Sequence, residues 1–304
     1  MIRRLLCITL LLSFCSATLY AQAAEVTVKE DVIYGRKHGV SLTMDVFTPK
    51  AKTNGAAVIM VVSGGWYSSK ESVNRMFFNE MLSRGYTVFA VVHGSQPKFT
   101  IPEVLEDMHR AVRYIRYHAK QFGIDPDRIG IMGASAGGHL SLMQGCASLP
   151  GDPKAKDPVN QVSSKVTAVG CFFPPTDFLN YGKEGELAIG TGTLKDFWAP
   201  FDFHTFEGKK GFIPVTDPEK RKELGKRVSP LYHVTSDDAP ALIIHGDADK
   251  LVPIQQAELI IAKLKENNVP CELVTKPGKA HGWAGIDKDI ITIADWFDKY
   301  LAKK

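Results

Sequence analysis

The sequence predicts a three-layer α/β domain, a mostly parallel central sheet with helices on both faces. Short apolar runs bounded by turn residues recur along the chain, as strands buried on both faces do. Between them lie segments with apolar residues at helical spacing, and strands alternating with such helices give this layering. A long aromatic-rich interval breaks the rhythm and predicts an insertion ahead of the strand at 241–244.

Leu42-Thr43-Met44-Asp45-Val46-Phe47 alternates apolar and polar residues and reads as an early, half-exposed antiparallel strand. The buried strands follow at 57–62 (AVIMVV), 86–92 (YTVFAVV), 129–132, 166–173, 241–244 (ALII) and 271–275 (CELVT). Residues 101–122 carry Val104, Met108, Ala111, Val112 and Ile115 at helical spacing, with Pro102 near the start, where its missing amide is tolerated. Further helices are expected at 138–145, 254–267 and 290–301. Residues 172–238 hold Phe178, Tyr181, Phe197, Trp198, Phe201, Phe203 and Phe206 among glycines and prolines. Such a length exceeds an ordinary connection. It is either a self-packed excursion over the sheet edge or a cap that lines a pocket.

Met1-Ile2-Arg3-Arg4 leads an apolar stretch that reaches Tyr20 and ends in Ala21-Gln22-Ala23-Ala24. A positive start, a short apolar run and a small-x-small site form a secretory signal over 1–23. The expected location is therefore periplasmic or extracellular. The run is shorter than the ~20 residues of a membrane span, a retained anchor being the competing reading. The remaining 24–304, about 280 residues, suit one domain. Removing Arg3 and Arg4 lowers the net charge from +4 to +2. With no basic run, nucleic acid is not an expected partner. Cys146, Cys171 and Cys271 remain, none in metal-ligand spacing.

The run at 129–132 leads into Gly133-Ala134-Ser135-Ala136-Gly137-Gly138-His139. This is a G-x-S-x-G elbow after a strand and before a helix, the context that gives the motif meaning. Small neighbours let the backbone turn sharply around an exposed hydroxyl. Two further post-strand loops carry His245-Gly246-Asp247-Ala248-Asp249-Lys250-Leu251-Val252-Pro253 and Lys279-Ala280-His281-Gly282-Trp283. A serine, an acid and a histidine therefore follow one another at strand ends, where ligands bind in open α/β sheets.

From about residue 30 onward the chain resembles the α/β-hydrolase superfamily, and more narrowly the secreted carboxylesterases that overlap feruloyl/acetyl esterase-like and hormone-sensitive-lipase-like sequences. The elbow, the H-G-D-x-D-x-x-V-P loop and Asp125-Pro126-Asp127-Arg128-Ile129-Gly130 carry the resemblance. It implies Ser135 as nucleophile, Asp249 rather than Asp247 as the acid, and His281 as the base. Val61-Val62-Ser63-Gly64-Gly65-Trp66 stands where the family usually has H-G-G-G-W, with Val62 and Ser63 replacing the histidine and first glycine. The resemblance implies the amides of Gly64, Gly65 and Ala136 as oxyanion donors, with Trp66 as an alternative if the loop is shifted by one. Trp66 and His93 are candidate substrate contacts. His139 and His245 read as structural.

Those roles amount to ester hydrolysis through an acyl-enzyme, with no metal or organic cofactor required. The expected substrate is a small-molecule or carbohydrate ester, acetylated or feruloylated polysaccharide by resemblance. Rival readings are a prolyl-oligopeptidase-like peptidase and a non-catalytic ligand-binding member of the fold.

Overall fold

The apolar runs form the middle of one eight-stranded sheet. The structure, a computed structural model, describes residues 25–303, so the expected leader at 1–23 lies outside the described residues. In chain order the elements are β1 (Val26–Lys37), β2 (Val40–Pro49), β3 (Ala57–Val62), α1 (Asn79–Ser83), β4 (Thr87–Val92), α2 (Ile101–Tyr117) and α3 (Ala119–Phe122). There follow β5 (Ile129–Ala134), α4 (Ala136–Cys146), β6 (Ala168–Phe172), β7 (His204–Phe206), β8 (Phe212–Pro214) and α5 (Pro218–Arg227). The chain closes with β9 (Ala241–Gly246), α6 (Gln255–Glu266), β10 (Cys271–Lys276) and α7 (Ile286–Tyr300). The strand order is β1-β2-β4-β3-β5-β6-β9-β10. Only β2 runs antiparallel to both its neighbours, and the strands from β4 to β10 are parallel.

Side-chain alternation along each strand feeds two cores. On β3, Ile59 and Val61 join Val104, Met108, Leu140 and Ile260 from α2, α4 and α6. Val58 and Val62 instead join Met81, Leu82, Ile293 and Phe297 from α1 and α7. The helix expected at 101–122 opens with a Thr100/Glu103 capping box and is interrupted at His118, which leaves helical geometry between α2 and α3.

Two features depart from the sequence expectation. The charged strand β1 was not foreseen, because along it only Val32 and Tyr34 are buried and no apolar pattern marks it. It lies at the sheet edge, where exposed charge discourages pairing with other chains. With β1 outside it and α1 packed against it, β2 is mostly buried rather than half-exposed.

The 68 residues or so between β6 and β9 contain short helical turns, the β7–β8 hairpin and α5. Phe178, Tyr181, Phe201 and Phe203 are buried in the larger core, whereas Trp198 is 59% and Phe206 51% exposed. Cys146, Cys171 and Cys271 are free thiols. Among the described residues no helix is long and apolar enough to cross a membrane, and no group of three or more His, Cys, Asp or Glu could hold a metal ion.

Candidate active site

Ser135 sits between β5 and α4 with φ +54° and ψ −119°, a conformation that L-residues rarely adopt. Its amide donates to the Phe172 carbonyl at 3.0 Å, and its carbonyl accepts from the His139 amide at 2.9 Å. The neighbouring glycines are sterically required. A Cβ on Gly133 would lie 2.5 Å from the Gly137 backbone, and one on Gly137 would lie 2.9 Å from the Val61 carbonyl oxygen. On Gly138 it would meet the Phe172 carbonyl at 2.9 Å.

Three loops converge on this hydroxyl. His281 Nε2 lies 3.0 Å from Ser135 Oγ, and His281 Nδ1 lies 2.7 Å from Asp249 Oδ2. A carboxylate can only accept, so Nδ1 carries the proton and Nε2 offers its lone pair to the serine hydroxyl. Asp249 Oδ1 accepts from the amides of Leu251 and Val252, both at 2.9 Å. Burial acts to raise this carboxyl, but the nearby His245 ring and hydrogen bonds from His281 and the Val252 amide outweigh it and hold the group well below the usual carboxylate range. Asp247 is turned elsewhere and accepts from the Gly278 amide at 2.6 Å. His245 is fully buried; its Nε2 donates to the Val252 carbonyl at 2.8 Å and lies 3.5 Å from Asp249.

The segment after β3 folds into a tight turn. Gly65 and Trp66 have φ of +54° and +59°, and Gly64 and Tyr67 exchange amide–carbonyl bonds of 3.0 and 2.9 Å. Positive φ at both central residues marks a type I′ turn. The Gly64 amide, expected as an oxyanion donor, is thereby committed to the Tyr67 carbonyl. The amides of Gly65 and Trp66 have no protein partner among the described residues, and neither has Ala136 at the first turn of α4.

The side chains of Trp66 and His93 are both buried rather than presented beside Ser135. The Trp66 side chain is buried at 2% exposure against His139, Phe178 and Phe201. Its indole donates to His139 Nδ1 at 3.1 Å, and His139 Nε2 donates to the Val228 carbonyl at 2.6 Å. His93 is buried at 3% and bonds Gly94 and Ser63. Both expectations treated an aromatic near a strand end as a contact, whereas the packing turns them inward.

The BD-FAE family profile matches residues 44–264, most of the chain. The chain belongs to the BD-FAE family. It is 27% identical over 240 residues to "Probable carboxylic ester hydrolase LipM" of Mycobacterium tuberculosis, covering 78% of this chain and 51% of that protein. It therefore spans about half the length of that curated relative. A truncated carbohydrate esterase from gut microbiota shares the fold with a TM-score of 0.74 at 24% identity, over 93% of this chain and 99% of the other. Est2, a thermophilic esterase of Thermogutta terrifontis, gives 0.65 at 25% identity over 91% of each chain.

This BD-FAE chain carries site residues that the sequence reading did not single out. Phe173 packs at a tilt against His281 with ring centroids 4.4 Å apart and meets Trp283 edge-on at 5.7 Å. A cavity of about 320 Å³ reaches Ser135 beside the turn, lined by Met60, Ser63, Tyr67, Phe77 and Ala134 among others. The ring of Phe197, from the segment before β9, lies so close to Gly65 that a Cβ there would be 2.7 Å away. The aromatic content of 172–238 was visible in the sequence, but which ring meets the turn depends on the path of the fold.

Burial lowers His93, His109 and His139 from 6.5 to about 4. Each is neutral when folded and protonates more readily unfolded, so stability falls as pH drops from about 6.5 towards 4. Each contributes about 1.4 kcal/mol per pH unit within that window. Asp107, which burial pushes up to about 6, acts in the opposite sense below that pH and offsets about one histidine. The expected result is a urea midpoint clearly lower at pH 5 than at pH 7.5. An unchanged midpoint would refute the neutral, buried state of these rings.

Proposed function

We propose that this chain is a serine hydrolase of carboxylic esters, acting on short-chain acyl esters or on acetyl or feruloyl esters of carbohydrate. The observation that carries the reading is the continuous Ser135–His281–Asp249 hydrogen-bond chain at 3.0 and 2.7 Å. His281 Nε2 takes the Ser135 proton as Oγ attacks the ester carbonyl, and the cation that forms is stabilised by Asp249. The amides of Gly65 and Ala136 receive the developing oxyanion, with that of Trp66 beside them. His281 then protonates the departing alcohol, and water releases the acid from the acyl-enzyme. The names of the relatives and of the carbohydrate esterase neighbour support this reading, and the leader pattern at 1–23 supports export.

The departing alcohol must lie within reach of His281. The cavity lined by Met60 and Phe77 meets Ser135 and the oxyanion turn but not His281, which suits it to the acyl group. Hydrolysis of p-nitrophenyl acetate, butyrate and octanoate tests both points. The expected order of kcat/KM is acetate or butyrate well above octanoate. Phe77→Ala should raise octanoate relative to acetate by about tenfold, the worth of about two newly buried methylenes at about 0.8 kcal/mol each. Absence of hydrolysis across the series would overturn the esterase reading, and an unchanged chain-length profile in Phe77→Ala would overturn the acyl assignment.

A further inference from the structure

We propose that His93 is the positioning residue of the oxyanion turn, fixing through Ser63 and Ser68 the segment that the family pattern anchors with a histidine and that here begins at Val62. The proposal rests on the ester-hydrolase reading for its catalytic consequence, but its geometry stands apart from it. The Val62 side chain has no polar group to hold the loop. His93 enters from the end of the neighbouring strand β4, and the two strands lie in register with Val62 opposite Val92.

One residue grips the turn on both sides. On the entering side, His93 Nε2 lies 2.9 Å from Ser63 Oγ. On the leaving side, the His93 amide donates to Ser68 Oγ at 3.2 Å, and that hydroxyl donates to the Val62 carbonyl. The Gly65–Trp66 turn, whose two amides are unpaired, hangs between these anchors.

The ring is itself locked. His93 Nδ1 lies 2.7 Å from the Gly94 carbonyl, which can only accept, so Nδ1 bears the proton and Nε2 accepts from Ser63. The Gly94 amide donates to Asp107 Oδ2 at 2.8 Å, and Asp107 pairs with Lys37 at 2.7 Å. Burial keeps the ring neutral down to about pH 4, so the acceptor lone pair on Nε2 persists wherever a histidine base operates. A second layer of this kind holds donors at the distance the transition state requires, and a displacement of about 1 Å costs on the order of 10² in rate.

The test is a double-mutant cycle of His93→Ala and Ser63→Ala, with His93→Gln as the conservative variant, monitored by thermal melting. On p-nitrophenyl acetate each single variant should lose about ten- to a hundredfold in kcat with KM within about twofold. The double variant should lose little more than either single one, because both break the same link. His93→Gln, whose amide can still bond Ser63, should recover part of the loss. Amide hydrogen exchange at Gly64 and Tyr67, whose mutual bonds close the turn, should quicken in His93→Ala whether or not the parent hydrolyses esters. Faster exchange with an inactive parent would retain the positioning role and remove the esterase reading. Fully additive losses, or unchanged kcat and exchange in a folded variant, would overturn the proposal. Should His93→Ala fail to fold, Ser63→Ala, at a half-buried hydroxyl, decides by the same two readouts.

Discussion

Ser135→Ala is expected to abolish p-nitrophenyl ester hydrolysis to within about 10⁻⁵–10⁻⁶ of the parent rate, as removal of a triad nucleophile does elsewhere. The fold should survive, because the hydroxyl makes one side-chain hydrogen bond, to His281, and alanine carries the same Cβ through the same backbone turn. A folded Ser135→Ala that keeps more than a tenth of the activity would mean that Ser135 is not the nucleophile. The backbone offers a second readout. At φ +54° and ψ −119° any L-residue is strained, at a cost of about 1–3 kcal/mol. Ser135→Gly should therefore be as inactive as Ser135→Ala yet more stable than it by about 1 kcal/mol, after glycine's own entropic cost. Equal urea midpoints for the two variants would show that the elbow stores no such strain.

Asp249→Asn is expected to cost about 10⁴ in kcat with little effect on folding, the scale seen when a triad acid becomes an amide. The loop itself dictates the failure. Oδ1 accepts from the Leu251 and Val252 amides, so an asparagine must keep its carbonyl oxygen there. Its NH₂ group then faces His281 Nδ1 and donates to it, which moves the ring proton to Nε2. In that tautomer His281 cannot accept from Ser135. Asp247→Asn is the contrast, since that side chain holds the Gly278 amide through an oxygen an asparagine retains, and its activity should stay within about threefold. Equal losses in the two variants, measured as kcat on the same ester, would contradict the assignment of Asp249.

The interior of the fold was legible because strands covered on both faces must be apolar throughout, as 57–62, 129–132 and 241–244 are. Strand β1 was not, since an exposed edge places no such demand on Lys29, Glu30 and Asp31. That a serine, an acid and a histidine would meet could be read from loops that follow strands, because topology brings strand ends together, whereas the choice of Asp249 over Asp247 on one loop came from the family resemblance. The fate of the Gly64 amide could not. It depends on Trp66 adopting positive φ, a conformation for which tryptophan gives no local signal and which its buried contacts to His139 and Phe201 impose. His93 was misplaced for a related reason. A strand end points a side chain either into the cleft or behind it, and a single sequence does not distinguish the two.

Phe197 lies against Gly65 with no room for even one additional carbon atom. The segment before β9 and the turn after β3 are therefore not interchangeable parts, although more than a hundred residues separate them in the chain. Grafting a foreign loop onto this scaffold to alter specificity would also remove the roof of the oxyanion turn. Gly65 and Phe197 are best regarded as one heritable unit, so that libraries diversifying this segment should hold the pair fixed or randomise both members together.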